Sequence, residues 1–388
     1  MASSVSRAGG RVVGIVAGEA SGDLLGAELI RAMRREVADL EFVGIGGPRM
    51  EAAGMQILFP LEKLAVRGYV EVLRHYRGIL AIRRELRRTM LELRPAVFVG
   101  IDAPDFNLDL EVALRARGIP TVHYVSPSIW AWRGERIHKI KRAVSKMLTV
   151  FPFEAPLYER AGIDVEFVGH PIAEMVEAVP SKPAAREQLR LPASAPVIAL
   201  LPGSRQSEVA YLADTYVRTA QKIHLRHPNA RFLVPLTSRE TREIFETAIY
   251  ANNAFEVPLT ILFGHAHEAL AAADVALIAS GTATLEAALL RCPMVITYKM
   301  PDLSYRIMRR KKYLPYVGLP NILAEEFIVP EILQDDATPE NLSQALLNLL
   351  GDAQVRARLG ARFAAMHASL RLDAAQRAAR AIVPLMQR

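Results

Sequence analysis

Short apolar runs alternate with helix-forming stretches along almost the whole chain, and that alternation admits few folds. Arg11–Ala17, Leu40–Ile45, Ala96–Ile101, Ile119–Val125, Lys146–Val150 and Val165–Val168 form one series. Val197–Leu201, Arg231–Pro235, Leu259–Phe263, Val275–Ala279 and Met294–Tyr298 form a second. Runs this short and apolar nearly throughout read as buried parallel strands, joined by right-handed helical crossovers. Pro171 and the polar stretch Pro180 to Pro183 mark the break between the series. The expectation is an α/β protein of two Rossmann-like domains facing across a cleft, and 388 residues suffice for two cores. We place the domains at residues 11–172 and 173–365. The last helical stretch, 366–388, either packs back on the first domain or exchanges with a partner in a homodimer.

Between Val275–Ala279 and the helix former that begins near Thr284 lies Ser280-Gly281-Thr282, the turn at a helix N-terminus. Free N–H groups and the positive end of the helix dipole meet there, and Gly281 lets a ligand approach the backbone, which suits a diphosphate. Glu286, one turn further on, is placed to accept hydrogen bonds from ribose hydroxyls. The competing reading is an ordinary βα turn with Ser280 or Thr282 as cap. Gly18-Glu19-Ala20-Ser21-Gly22-Asp23 is also a small-residue turn, but it meets neither nucleotide-binding glycine fingerprint and instead leaves room for a bulky ligand.

Two further strand ends carry chemistry. In open parallel sheets ligands bind beyond the carboxyl ends of the strands, where Asp102 falls, and the second series opens into Pro202-Gly203-Ser204-Arg205. Trp130 stands with Trp132 in a proline-containing loop, where the pair either plugs the domain floor or lines a cleft.

The net charge of +7 allows nucleic acid, an anionic membrane or phosphorylated substrates as partners. Its placement narrows the choice. Arg67, Arg74, Arg77, Arg83, Arg84, Arg87 and Arg88 mingle with Leu64, Val66, Tyr69, Val72 and Leu80, a mixture that suits the face of an anionic bilayer. No nucleic-acid-binding motif is recognisable. A second basic cluster, Arg306 to Lys312, stands next to Tyr313 and Tyr316. For both clusters the alternative is a solvated helix with its aliphatics in the core. The lone Cys292 excludes an intramolecular disulfide and reads as packing. No apolar run approaches a membrane span and the N-terminus lacks a signal-peptide core, so a cytoplasmic protein is expected.

Taken together, Gly18-Glu19-Ala20-Ser21-Gly22-Asp23, Gly47-Pro48-Arg49-Met50, Gly100-Ile101-Asp102-Ala103-Pro104-Asp105-Phe106-Asn107, Tyr124-Val125-Ser126-Pro127-Ser128-Ile129-Trp130-Ala131-Trp132, Leu201-Pro202-Gly203-Ser204-Arg205, Ala279-Ser280-Gly281-Thr282 and Leu319-Pro320-Asn321 resemble, in order, the blocks of the lipid A disaccharide synthases. The likeness runs from about Arg11 through nearly the whole chain, with Tyr298 to Val317 less typical. It implies a two-domain, inverting glycosyltransferase whose first domain faces acceptor and membrane and whose second holds the UDP-sugar. It further implies UDP-2,3-diacylglucosamine as donor and 2,3-diacylglucosamine 1-phosphate as acceptor, joined β-1,6 with release of UDP. No metal or other cofactor is implied, and the place of action is the inner face of the cytoplasmic membrane.

Such a transfer needs a base for the acceptor hydroxyl and positive groups for the departing diphosphate. Asp102 is the expected base, with His123 and His170 as rivals that read better as a core residue and a corner residue. Arg205 offers a planar fork to phosphate, Ser204 and the Ser280, Gly281 and Thr282 turn add donors, and Asn321 is expected near the donor sugar. Leu64, Val66, Tyr69 and Val72 are expected to receive acyl chains at the membrane. A transferase or epimerase acting on a soluble UDP-N-acetylhexosamine, or a non-catalytic sugar-nucleotide sensor, are the rival readings.

Overall fold

A computed structural model describes residues 11–64, 69–131, 133–176, 181–301, 305 and 313–387; of residues 69–76 it describes the backbone only. The chain divides into two compact units. One runs through Pro171 and resumes at Leu370, and the other is Ile172–Ser369.

The first unit is built on seven parallel strands: β1 (Arg11–Ala17), β2 (Leu40–Gly46), β3 (Met55–Pro60), β4 (Val97–Ile101), β5 (Thr121–Tyr124), β6 (Lys146–Thr149) and β7 (Val165–Phe167). Their spatial order is β3-β2-β1-β4-β5-β6-β7. The order reverses between β1 and β4, whose last residues, Ala17 and Ile101, lie side by side. Every residue of β4 is buried, as a strand covered by helices on both faces requires.

The second unit holds six parallel strands: β8 (Val197–Leu201), β9 (Arg231–Leu236), β10 (Leu259–Phe263), β11 (Val275–Ala279), β12 (Met294–Tyr298) and β13 (Glu331–Leu333), in the order β10-β9-β8-β11-β12-β13. The reversal here falls between β8 and β11, with Leu201 beside Ile278. Their buried Val, Ile, Leu and Ala side chains join those of the flanking helices in one core, to which buried Cys292 belongs.

Two strands are additions to the sequence reading. β3 and β13 are short edge strands with mostly half-exposed residues, so neither shows the continuous apolar run that marks a central strand. The basic helix spans Tyr69–Leu93. A side chain at Gly78 would meet nothing, so this glycine breaks no packing and the helix runs through it. The final helix, Ala374–Ile382, packs on the helix Ala20–Glu36 of the first unit, burying Ala374, Ala378, Ala379 and Ile382, with Gln376 and Arg380 both bonded to Glu36. In the single chain, this segment lies on its own first unit.

Candidate functional site

Ligands of doubly wound sheets bind where the strand order reverses. In the first unit that point lies between the turn after β1, Gly18 onward, and the turn after β4, which starts at Asp102. The two turns touch: a side-chain carbon on Gly18 would fall 2.7 Å from Ala103 Cβ. Asp102 and Ala103 both adopt left-handed backbone conformations, φ 50° and 43°. Such a conformation costs a residue with a side chain about 1–2 kcal/mol, and strain of this kind collects at functional sites. The turn is held by Asp102 N–H donating to Tyr124 O (2.9 Å) and by Asn107 Nδ2 donating to Asp102 O (2.8 Å). The Asp102 carboxylate is half-buried and has no hydrogen-bond or ion-pair partner among the described residues. It does not cap the following helix, whose N-cap is Ala103. Asp105 pairs with Arg136 (2.6 Å) and Asn107 turns back to the strand, so the carboxylate at position 102 is the one left available.

The rivals are otherwise engaged. His123 is completely buried, its Nδ1 2.8 Å from Glu111 Oε1. His170 lies 5.0 Å from the Phe151 ring, and burial lowers its pKa to about 4. Asp23 accepts from the N–H groups of Gly47, Arg49 and Met50 at 2.9–3.0 Å, which ties the β2 turn to the first helix. Trp130 donates to Glu154 (3.1 Å) and meets Phe153 edge-on, so it belongs to an aromatic group beyond β5 and β6. Burial raises the Glu154 pKa to about 7, even though Phe151 N–H and Trp130 donate to it. Trp132 lies outside the described residues.

In the second unit the reversal brings together the two turns expected to hold the nucleotide. Ser280-Gly281-Thr282 follows β11 and precedes the helix Thr282–Leu289, whose N-cap is Gly281. Neither Ser280 nor Thr282 caps it: the Ser280 hydroxyl donates to Val317 O (2.9 Å). The N–H groups of Gly281, Thr282 and Ala283 find no acceptor among the described residues, and the space a Gly281 side chain would fill is open. A helix end with free donors and no side chain in front of it is suited to an anion. Glu286 is half-buried on the same helix and 2.9 Å from His267 Nε2 through one carboxylate oxygen, Oε2. His267 was not singled out by sequence. Its hydrogen bond to Glu286 raises its pKa, against the opposing effect of burial.

The Pro202–Arg205 turn differs from expectation. Its donors do not face solvent, because Glu208 Oε2 accepts from Ser204 N–H (3.1 Å) and Arg205 N–H (3.2 Å). Arg205 Nη1 also donates to Glu208 Oε1 (2.8 Å), although the arginine side chain is 79% exposed. Glu208 sits at the third position of the helix Gln206–Arg226, and its carboxylate reaches back to the N–H of the N-cap Arg205, the glutamate half of a capping box. Ser204 therefore offers no free backbone donor here, whereas the Arg205 fork, itself exposed, needs only to leave Glu208.

The Asn321 amide, expected near the donor sugar, is turned inward. It is completely buried, with Oδ1 accepting from Ile328 and Val329 N–H, and Nδ2 donating to Val329 O and Glu331 Oε1. Every position of its amide is spent within the protein, so it shapes the loop and leaves nothing for a ligand. Glu331 accepts from Val317 and Gly318 N–H as well, which sets the segment that the Ser280 and Thr284 hydroxyls grip.

On the expected membrane face, Leu64 is half-buried and packs against the core cluster of the first unit that includes Leu86, Met90 and Phe98. Val66 and the side chains of Tyr69 and Val72 lie outside the described residues, as does the cluster from Arg306 to Lys312. A groove lined by Leu80, Arg83, Arg84, Arg87, Asp109 and Leu110 remains. Arg83 pairs with Asp109 (2.7 Å), while Arg84 and Arg87 are exposed without an ion-pair partner among the described residues. Among the described residues no helix is long and apolar enough to cross a membrane.

Comparison with known proteins adds a family. The family model described as lipid-A-disaccharide synthetase matches residues 13–382. The lipid-A-disaccharide synthase of Methylobacillus flagellatus is 57% identical over 375 residues, covering 97% of this chain and 99% of that protein. That of Aromatoleum aromaticum is 57% identical over 376 residues, covering 97% and 96%. Among solved structures, MurG of Acinetobacter baumannii matches with TM-score 0.59 at 16% identity over 97% of this chain and 99% of that one. The UDP-GlcNAc 2-epimerase of Neisseria meningitidis, solved with UDP-GlcNAc, gives TM-score 0.65 at 10% identity over 97% and 99%. At these identities the solved structures speak for the fold alone.

Proposed function

The chain belongs to the lipid-A-disaccharide synthase family, and from that premise we propose how its own residues carry out the transfer. It is a hexosyltransferase that joins UDP-2,3-diacylglucosamine to 2,3-diacylglucosamine 1-phosphate and releases UDP. Asp102 takes the proton from the acceptor 6-hydroxyl as that oxygen attacks the anomeric carbon of the donor. The bond from that carbon to the diphosphate breaks on the opposite face, so the configuration inverts, and the proton held by Asp102 passes to solvent. The N–H groups of Gly281, Thr282 and Ala283, with the helix dipole behind them, receive the charge of the departing diphosphate, and the Arg205 guanidinium joins them from the neighbouring turn. Glu286, steadied by His267, accepts from the ribose hydroxyls through its second oxygen.

The observation that carries this reading is the partnerless half-buried carboxylate of Asp102, in a strained turn where the strand order of the first unit reverses. A carboxylate whose only task was structural would have a donor. The test is to incubate the protein with both acylated substrates in EDTA and to follow UDP and disaccharide by mass spectrometry. Disaccharide from the wild type and none from Asp102→Asn is expected. Turnover of plain UDP-N-acetylglucosamine, with none of the acylated pair, would instead support the soluble-sugar reading.

We further propose that the protein works at the inner face of the cytoplasmic membrane, with Arg84 and Arg87 meeting anionic headgroups beside Leu80. Charge reversal at Arg84 and Arg87 should weaken co-sedimentation with anionic vesicles; unchanged sedimentation would remove this surface from consideration.

A further inference from the structure

Behind the Asp102 turn lies a group of completely buried polar side chains that the transfer chemistry does not use: Asn107, Glu111 and His123. Asn107 and Glu111 stand four residues apart on the helix Pro104–Arg115, so both project from one face. His123 comes from β5, where it lies opposite Gly100 of β4. A side-chain carbon on Gly100 would fall 2.2 Å from Glu111 Oε1 and 2.9 Å from Asn107 Cβ, so only glycine leaves the two polar groups room against the strand. Glu111 and His123 join at 2.8 Å and fasten this helix to β5. Burial raises the Glu111 pKa, and His123 opposes that shift.

Three atoms of the group, Asn107 Oδ1, Glu111 Oε2 and His123 Nε2, have no hydrogen-bond partner among the described residues. Each unsatisfied buried polar atom costs about 1–3 kcal/mol, and apolar residues of similar volume in place of a buried ion pair are often neutral or stabilising. A core that had only to be filled would be better served by leucine and valine. What the group holds is the Asp102 turn. Asn107 grips it twice, with its own N–H on Ala103 O (3.0 Å) and its side-chain amide on Asp102 O (2.8 Å), and that amide also lies 3.4 Å from Ile101 O.

We propose that Asn107 is a positioning residue for the general base, pinning two consecutive left-handed residues so that the Asp102 carboxylate is presented without a partner, and that the Glu111–His123 pair anchors the helix from which Asn107 acts. This rests on the reading of Asp102 as the base. Asn107 touches neither substrate nor nucleotide in this role, so its loss should appear in kcat and not in binding.

The test is a double-mutant cycle in the full-length protein, with kcat, acceptor KM, UDP affinity and melting temperature measured for each variant. Asn107→Leu keeps the volume and removes the amide. A displaced base should lose ~10- to 100-fold in kcat, less than the ~10²- to 10⁴-fold that a general base supplies, with KM and UDP affinity close to wild type. In the Asp102→Asn background the same substitution should cost less than about threefold, because residues acting as one unit are not additive. An equal loss in both backgrounds would place the action of Asn107 elsewhere and overturn the proposal, as would full activity of Asn107→Leu. Full activity of Asp102→Asn would sink the base assignment itself, a separate result. If Asn107→Leu melts below the assay temperature, the pair Glu111→Gln and Glu111→Ala serves instead. Glutamine can still accept from His123 and should retain kcat, whereas alanine should lose it; equal behaviour of the two would count against the proposal.

Discussion

Removing the Arg205 guanidinium should slow turnover far more than it weakens nucleotide binding, and the structure allows the size of the effect to be worked. Arg205 is paired with Glu208 at 2.8 Å, but its side chain is 79% exposed. Only the arginine end of the pair is exposed, but Glu208, 14% exposed, keeps the Ser204 and Arg205 N–H donors when the fork leaves, so releasing it toward a diphosphate costs on the order of 1 kcal/mol. A preorganised donor facing charge that develops in the transition state contributes ~2.7–4 kcal/mol. The balance favours catalysis by about 2–3 kcal/mol, so kcat of Arg205→Ala should fall ~30- to 150-fold. UDP affinity should change less than about fivefold, since the free donors at Gly281 to Ala283 remain. Arg205→Lys keeps the charge without the planar fork and should recover only part of the loss. Single-turnover product formation followed by mass spectrometry gives the chemical step, and calorimetry with UDP gives the affinity. Equal losses in kcat and UDP affinity would reduce Arg205 to a binding residue and refute the reasoning.

Other substitutions separate fold from function. Gly281→Val adds a side chain where nothing stands within 4 Å, on extended backbone, so melting should be unchanged while UDP affinity falls by about tenfold or more as the helix-end donors are covered; a drop in melting temperature would contradict the open geometry. Ala103→Gly relieves a left-handed alanine worth about 1–2 kcal/mol at an unfolded-state entropy cost of about 0.5–1 kcal/mol, so stability should hold or rise slightly while kcat drops through a looser Asp102; a clearly lower melting temperature would show that the turn is unstrained. Glu154, with its pKa raised to about 7 by burial, binds its proton more tightly folded than unfolded. Its contribution is therefore present at acid pH and lost as pH climbs from about 4.5 to about 7, a swing on the order of 3 kcal/mol. Glu154→Gln should flatten the fall in melting temperature between pH 5 and 8, and identical slopes for the two proteins would exclude this group as the cause.

The alternation of apolar runs and helix formers, the turn chemistry at their junctions and the order of the motif blocks were all written locally. They determined the α/β class, the central strands, the strand-end placement of Asp102, Arg205 and the Ser280 turn, and the family, because buried strands and helix starts are set by neighbours in sequence. Edge strands such as β3 and β13 escaped, since half-exposed residues leave no such trace. Only the tertiary structure decided strand order, and with it that the Leu201 and Ala279 turns share one point and that Gly18 meets Ala103. It alone decided the partners of polar side chains: Glu208 on the Ser204 and Arg205 donors, His267 on Glu286, Asn321 turned inward and Glu111 joined to His123. Hydrogen-bond partners are chosen by proximity in space, and a sequence states that a glutamate or asparagine is present without stating which donors the folded chain will bring within 3 Å of it.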